Sequence, residues 1–81
     1  NWCAWQAHDP EKDEGYFIAF RRKLAEDKAI HVRLREIDPK AKYSIEDKNG
    51  AVKTVLGEEL EEFRIALPPR DYAVYFYKKQ K

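Results

Sequence analysis

The sequence predicts an all-β fold, an antiparallel β-sandwich of about seven strands with Greek-key connections. Three observations support this prediction. Apolar and polar residues alternate along most of the chain, as they do in strands that are covered on one face only. Turn-forming residues recur at intervals of about 8–12 residues. The length of 81 residues suits one modest core, so residues 1–81 are predicted to form a single domain.

The first two predicted strands are residues 2–8 and residues 16–22, and an acidic loop separates them. Within the loop, Pro10 and Gly15 interrupt any regular strand pairing. Side chains two residues apart in a strand lie on the same face of the sheet. The second strand therefore places three apolar side chains on one face, namely Tyr16, Ile18 and Phe20.

Residues 30–36 show the clearest alternation in the chain. We expect Ile30, Val32 and Leu34 to point inward, while the histidine and arginines between them point outward. A strand that is covered on one face and wet on the other is typical of an antiparallel sheet.

Residues 42–47 and residues 51–56 form a predicted hairpin. Asn49 and Gly50 lie between them and suit the positive φ values of a tight turn. The side chains of the first strand that are expected to point inward are Tyr43 and Ile45.

The remainder of the chain is predicted to contain one helical turn and two strands. Four glutamates and a leucine follow Gly57, and this composition favours a helical turn at residues 57–62. The last two strands are predicted at residues 63–67 and residues 72–79, with a proline-containing turn between them.

The aromatic residues of the first and last strands are the candidate binding residues. Trp2 and Trp5 are three residues apart, so a regular strand places them on opposite faces. We expect Trp5 to join the core and Trp2 to face outward together with Tyr75 and Tyr77. An exposed patch of this kind favours an interface with another domain. The alternatives are ordinary partial burial and a platform on which a sugar ring stacks.

Composition argues against several classes of partner. Sixteen basic residues and fifteen acidic residues give a net charge of +1, which creates no field that would attract nucleic acid or an anionic membrane. No apolar run approaches the about 20 residues of a membrane span. The basic run at residues 21–23 is expected to pair with carboxylates on neighbouring strands. Because Cys3 is the only cysteine, neither an internal disulfide nor a thiolate metal site is expected.

The acidic loop is not expected to hold a metal ion or a catalytic pair. Asp9, Glu11 and Asp13 alternate as ligands do in a calcium loop, but Glu14 and Phe20 stand where an EF-hand needs glycine and a bidentate glutamate. Glycoside hydrolysis needs two carboxylates that face each other across a cleft, and the loop offers no apolar frame for one. We therefore predict no catalytic residue, no metal and no cofactor in this chain.

Several short motifs, in this order, resemble the C-terminal domain of glycoside hydrolase family 36, which contains α-galactosidases and their relatives. Residues 2–6 (WCAWQ) and residues 15–22 (GYFIAFRR) resemble the two strands that open that domain. Residues 35–43 (REIDPKAKY) resemble its G-L-D-P-x-x-x-Y corner, although Glu36 stands in place of the usual glycine. Two further matches follow in chain order, at residues 57–60 and residues 72–77.

The resemblance implies a β-sandwich of the kind that follows the (β/α)₈ barrel in bacterial enzymes of this family. Such a barrel needs about 250 residues, so the family's catalytic aspartates have no counterpart in this chain. The chain is expected to be a non-catalytic accessory domain whose partner is the catalytic barrel of the parent enzyme. Glu36 predicts a corner that differs in shape from the family's. Two alternatives stay open, a carbohydrate-binding module that presents aromatic side chains to a glycan and a fibronectin-like protein-interaction domain.

Overall fold

The computed structural model describes residues 2–23 and residues 25–80, so positions 1, 24 and 81 of the predicted domain lie outside the described residues. The described residues form seven strands and one short helix, and every strand pairing is antiparallel. This confirms the prediction of an antiparallel all-β fold. The elements are β1 (Trp2–Asp9), β2 (Glu14–Arg21), β3 (Ala29–Val32), β4 (Lys42–Asp47), β5 (Val52–Leu56), α1 (Gly57–Leu60), β6 (Phe63–Ala66) and β7 (Tyr72–Lys79).

The strands form a sheet of five and a sheet of two. The larger sheet has the order β1-β2-β7-β4-β5, and β3 pairs with β6 in the smaller one. The last strand of the chain therefore lies at the centre of the larger sheet, between the β1–β2 hairpin and the β4–β5 hairpin. No helix in the described residues is long and apolar enough to cross a membrane.

One face of the larger sheet, which we call the inner face, carries the core. The side chains of β6 pack against this face, where the rings of Phe63 and Phe17 meet edge to face at a centroid distance of 5.6 Å. The loop after β3 and the helix α1 add Leu34 and Leu60, and the backbone N–H of Leu34 donates to the carbonyl of Leu60 at 3.2 Å. The largest fully buried side chains are Tyr43, Tyr77, Phe17, Ile45 and Leu60.

Strands with one polar face have the orientation that the sequence predicts. Tyr43 and Ile45 of β4 are buried, which confirms the prediction for that strand. Leu34 is buried and Val32 packs against the core, while His31 between Val32 and Ile30 is exposed. Strand β3 is shorter than predicted, because it ends before Leu34.

The β4–β5 hairpin forms where it was predicted, but its loop is one residue longer than a two-residue turn. The backbone N–H of Gly50 donates to the carbonyl of Asp47, and the N–H of Asp47 in turn donates to the carbonyl of Ala51, both at 3.0 Å. Within the loop only Gly50 has a positive φ, of 86°. This is a three-residue loop that closes with a left-handed residue, so Asn49 does not need the positive φ that the prediction gave it.

Arg21 differs from its prediction, because it pairs with no carboxylate among residues 2–23 and 25–80. Its side chain is buried, and its two terminal nitrogens donate to the carbonyl oxygens of Leu67 at 2.8 Å and Ala25 at 3.1 Å. The guanidinium therefore ties the end of β2 to the loops that surround it. Its planar set of donors suits this use, since two carbonyls can be reached from one side chain.

Candidate functional site

The predicted orientation of the aromatic residues in β1 and β7 is wrong. Trp5 is 51% exposed, whereas Trp2 packs against the core and its indole N–H donates to the carbonyl of Asp27 at 2.9 Å. Tyr77 is only 2% exposed, and Tyr75 also packs against the core. Both faces of β7 are apolar, and in β1 the polar residues Gln6 and His8 lie on the face that turns inward. Alternation therefore defined the two sets of residues correctly but did not identify the set that β6 covers.

A polar network on the inner face explains why Tyr77 points inward. Its hydroxyl accepts a hydrogen bond from Nε2 of Gln6 at 2.7 Å and lies 2.8 Å from Nδ1 of His8. Burial raises the pKa of Tyr77, and the hydrogen bond from Gln6 offsets part of this rise. The amide of Gln6 also exchanges two hydrogen bonds with the backbone of Arg35. These buried and half-buried side chains therefore hydrogen-bond to one another and to the backbone of Arg35.

The opposite face of the larger sheet, which we call the outer face, is the candidate functional site. Alternation and register place every exposed large apolar side chain of the described residues on it. Monomeric proteins rarely expose contiguous apolar surface of this kind unless it serves to bind something. The residues are Trp5, Tyr16, Phe20, Val52, Leu56, Tyr72 and Phe76.

Two rows of three apolar residues run across β1, β2 and β7, from the edge of the larger sheet to its central strand. We call the six residues of these two rows the outer patch. Within it, the rings of Trp5 and Phe20 are 5.7 Å apart and those of Phe20 and Tyr72 are 6.0 Å apart, so the aromatic side chains are in continuous contact. The first row is Cys3, Phe20 and Tyr72, and the second row is Trp5, Ile18 and Val74.

Charged groups border the outer patch on the side of β4. Nζ of Lys48 lies 4.1 Å from the centroid of the Tyr72 ring and donates to the carbonyl of the same residue at 2.9 Å. Lys48 also forms an ion pair with Asp71 at 3.4 Å. The backbone N–H of Tyr72 donates to the Asp71 carboxylate and, with a smaller contribution from Lys48, lowers the pKa of Asp71. An apolar centre with a charged rim is the arrangement typical of a protein interface.

A groove lies at the end of the outer face where β2, β7 and β4 run side by side, and Asp9 of β1 and Val52 of β5 line its two sides. We call it the end groove, and its volume is about 640 Å³. The rings of Tyr16 and Phe76 form its apolar wall at a centroid distance of 6.1 Å and an angle of 48°. Four polar side chains project from the neighbouring positions of the three strands, namely Glu14, Ser44, Glu46 and Lys78.

The charged side chains of the end groove have no partner within the described part of the chain. Neither Glu14 nor Glu46 forms a side-chain hydrogen bond or an ion pair there, and Lys78 forms none through its ammonium group. Lys78 lies directly across the strand pairing from both Glu14 and Ser44, and Glu46 lies across from Phe76. Two carboxylates and one ammonium group are therefore available to a ligand beside an aromatic wall.

The acidic loop between β1 and β2 uses its first carboxylate internally. Oδ1 of Asp9 accepts hydrogen bonds from the backbone N–H groups of Glu11 at 3.0 Å and Lys12 at 3.4 Å. Within residues 2–23 and 25–80, no group of three or more His, Cys, Asp and Glu side chains is arranged to hold a metal ion. Cys3 lies on the outer face and His8 on the inner face, as their odd separation predicts.

Sequence reasoning missed the end groove. Alternation pairs Glu14 with Tyr16 on one face, and it pairs Lys78 with Phe76 in the same way. This signal did not reveal a site, because the three strands that form the groove are distant in sequence. The pairing of β7 with both β2 and β4 brings them together.

Comparison with known proteins identifies no relative of this chain. No protein-family model matches its sequence, and neither a curated protein nor a solved structure matches it. The outer patch and the end groove are therefore the structural features that point to a function.

Proposed function

We propose that this chain is a non-catalytic accessory domain whose outer patch packs against a larger domain of the same polypeptide. The resemblance of its motifs to family 36 identifies that larger domain, in this proposal, as the catalytic (β/α)₈ barrel of an α-galactosidase-like glycoside hydrolase. The observation that carries the proposal is the contiguous apolar surface of the outer patch, in which Trp5, Phe20 and Tyr72 are exposed and the other three residues are half-buried. In this proposal the barrel carries out catalysis, and this chain stabilises the barrel by packing against it.

The size of the outer patch favours a covalently linked neighbour as its partner. Its two rows cross three strands that lie about 4.8 Å apart, so the patch covers a few hundred Å². A stable complex between separate proteins buries about 800 Å² on each partner. Interfaces between domains of one chain begin at about 600 Å² in total, because the linker spares them most of the entropic cost of association. The outer patch is therefore large enough for an interface between domains of one chain but too small for a stable complex between separate proteins.

The fold supports the finer interpretation of a Greek-key β-sandwich. Side chains of β6, in the two-stranded sheet, share one core with those of the five-stranded sheet. The chain also returns to the centre of the larger sheet only with β7, after β3 and β6 have formed. Connections that cross from one sheet to the other in this way are characteristic of Greek-key sandwiches.

The backbone of the corner at residues 35–43 supports the resemblance to family 36. Glu36 stands where the family's motif has glycine, and its φ is 63°. Glycine adopts this left-handed conformation without steric cost, whereas other residues do so rarely. The hydroxyl of Tyr43, at the other end of the motif, accepts a hydrogen bond from the backbone N–H of Asp38 at 2.9 Å. The left-handed backbone at residue 36 is therefore a conformation that would explain why the family's motif has glycine at this position.

The test of the proposal is a pair of substitutions, Trp5→Ser with Tyr72→Ser, in the full polypeptide that contains this chain. We expect calorimetry to show that the accessory domain and its neighbour, which unfold together when unaltered, now unfold separately. The matched control is Val52→Ser with Leu56→Ser, which removes apolar side chains from β5 of the same face but outside the outer patch. The control pair is expected to leave a single transition.

The result that contradicts the proposal is a full polypeptide in which Trp5 remains open to solvent. Acrylamide quenching in a Trp2→Phe background measures this as the difference between the full polypeptide with Trp5 and the same polypeptide with Trp5→Phe, because Trp5 is then the only tryptophan that this chain contributes. Quenching as strong as in the isolated 81-residue chain would remove the barrel as the partner. It would favour the fibronectin-like alternative, in which a separate protein covers the patch.

A further inference from the structure

We propose that the end groove binds a pyranose unit of a neutral glycan. The sugar ring stacks on the wall formed by Tyr16 and Phe76, and Glu14, Glu46 and Lys78 hydrogen-bond to its hydroxyl groups. This site is separate from the outer patch and does not depend on which domain covers that patch.

The aromatic wall is the first reason. Tyr16 is 38% exposed and Phe76 is 52% exposed, and their rings form an open angle of 48°. An aromatic face carries negative electrostatic potential, so it attracts groups with a positive edge. The axial C–H groups of a pyranose form such a surface on one side of the ring. A sugar can therefore lie against this wall with its apolar side down.

The second reason is the position of the polar side chains. Glu46 is the direct cross-strand neighbour of Phe76, and cross-strand side chains are about 5 Å apart. Glu14 and Lys78 lie one row further along the strands, about 7 Å away. Hydroxyl groups at the rim of a ring that lies on Phe76 would reach both rows. Carboxylates accept hydrogen bonds from hydroxyl groups, and an ammonium group donates to hydroxyl oxygens.

The third reason is the mixture of charges, which disfavours an anionic ligand and offers both acceptors and a donor. Glu14 and Glu46 outnumber Lys78, which lies between them, so the groove repels an anion such as phosphate. A polyhydroxyl ligand has both donors and acceptors and carries no charge, so it can satisfy all three side chains. A concave site with an apolar wall and a few convergent polar groups is the general form of a small-molecule site.

The location of the groove leaves it accessible when the outer patch is covered. The row that contains Tyr16 and Phe76 is next to the row of Trp5, and the polar row of Glu14 and Lys78 lies beyond it. A domain seated on the outer patch would therefore border the groove on one side. In that arrangement the groove would hold a glycan beside the contact with the neighbouring domain.

The test is an NMR titration of the ¹⁵N-labelled 81-residue chain with glucose, galactose, mannose and maltotriose, each to about 50 mM. We expect saturable shifts for at least one of these sugars, confined to the amides of β2, β4 and β7 that border the groove. Tighter binding of maltotriose would indicate a glycan chain rather than a free monosaccharide. Sorbitol is the ligand control, because it has the hydroxyl groups but no ring that stacks.

The variants test whether the wall and the carboxylates make the contacts. Phe76→Ala removes half of the wall and is expected to raise the Kd about tenfold. Glu46→Gln keeps the shape of the side chain and removes its charge, and it is expected to raise the Kd about threefold. Trp5→Ala, on the same face but outside the groove, is the matched control and is expected to leave the Kd unchanged. The amide spectra report whether each variant is folded.

Three results would overturn the proposal. One is the absence of a saturable shift with all of the sugars, and another is an equal response to sorbitol. The third is binding that Phe76→Ala and Glu46→Gln leave unchanged while Trp5→Ala weakens it, which would place the sugar on the outer patch. Because the isolated chain is used, these results are independent of whether a neighbouring domain covers that patch.

Discussion

Glu36 holds a backbone conformation that its side chain disfavours. With φ at 63° and an exposed side chain, it accepts a steric cost of about 1–2 kcal/mol. Replacement by glycine removes this cost but adds freedom to the unfolded chain, which costs about 0.5–1 kcal/mol. We therefore predict that Glu36→Gly raises the free energy of unfolding by about 0.5–1 kcal/mol, measured by urea denaturation.

Glu36→Ala is the control for this prediction. Alanine keeps the Cβ atom and with it the steric cost of the left-handed conformation, so we expect little change in the free energy of unfolding. If alanine stabilised the chain as much as glycine, the cost would arise from the Glu36 side chain and not from its backbone conformation.

Two tyrosines on β7 make the free energy of unfolding of the chain sensitive to pH in the alkaline range. Burial raises the pKa of Tyr77 and of Tyr75, and the charge of Asp47 adds to the rise at Tyr75. The folded state then holds these protons more tightly than the unfolded state, in which tyrosine has a pKa of about 10. Their contribution to stability is complete below about pH 10 and is lost as the pH rises through the folded-state values.

We therefore predict that the free energy of unfolding falls as the pH rises above about 10, measured by urea denaturation at a series of pH values. The control is Tyr77→Phe, which removes one of the two ionising groups and should flatten the fall. Because it also removes a hydroxyl that accepts a hydrogen bond from Gln6, it should lower stability by about 1–2 kcal/mol at neutral pH. A slope that Tyr77→Phe leaves unchanged would assign the alkaline loss to other groups.

At the scale of the elements, the positions of the strands could be predicted from the sequence. Which side chains point inward could be predicted only for strands in which one face is polar. In β4, Tyr43 and Ile45 alternate with charged or hydroxyl side chains, so their burial could be predicted.

In β7 both faces are apolar, so alternation could not separate them. In β1 the polar residues Gln6 and His8 share the face of Trp2, and this pattern favoured Trp5 as the inward residue, which is wrong. The choice is made by the contact of β6 with the inner face and by the buried hydroxyl of Tyr77, both of which are long-range features.

The sequence predicted that an exposed aromatic surface exists but did not predict which residues form it, for the same reason. An exposed aromatic surface that includes β7 was expected, and one exists, but it consists of Tyr72 and Phe76 rather than Tyr75 and Tyr77. The end groove depends on strand order, because β7 pairs with β2 on one side and with β4 on the other. Alternation within a strand contains no information about which strands become neighbours.

At the scale of the whole molecule, the outer patch leads to a prediction about association. The net charge of +1 provides little electrostatic repulsion between copies, so apolar contact between outer faces is not opposed. The patch covers only a few hundred Å², however, which is well below the about 800 Å² per partner of a stable dimer. We therefore predict that the isolated chain is a monomer at about 10 µM and associates weakly and reversibly near 1 mM.

Sedimentation velocity over this range of concentrations measures the association directly. Trp5→Lys places a charge in the outer patch, on its edge strand β1, and should abolish the association, because two copies would then bring like charges together in an apolar contact. Since Trp5 is half exposed, this variant is expected to retain its fold. A stable dimer at about 10 µM that Trp5→Lys dissociates would show that a second copy satisfies the outer patch. The proposal that a neighbouring barrel covers it would then lose the observation on which it rests.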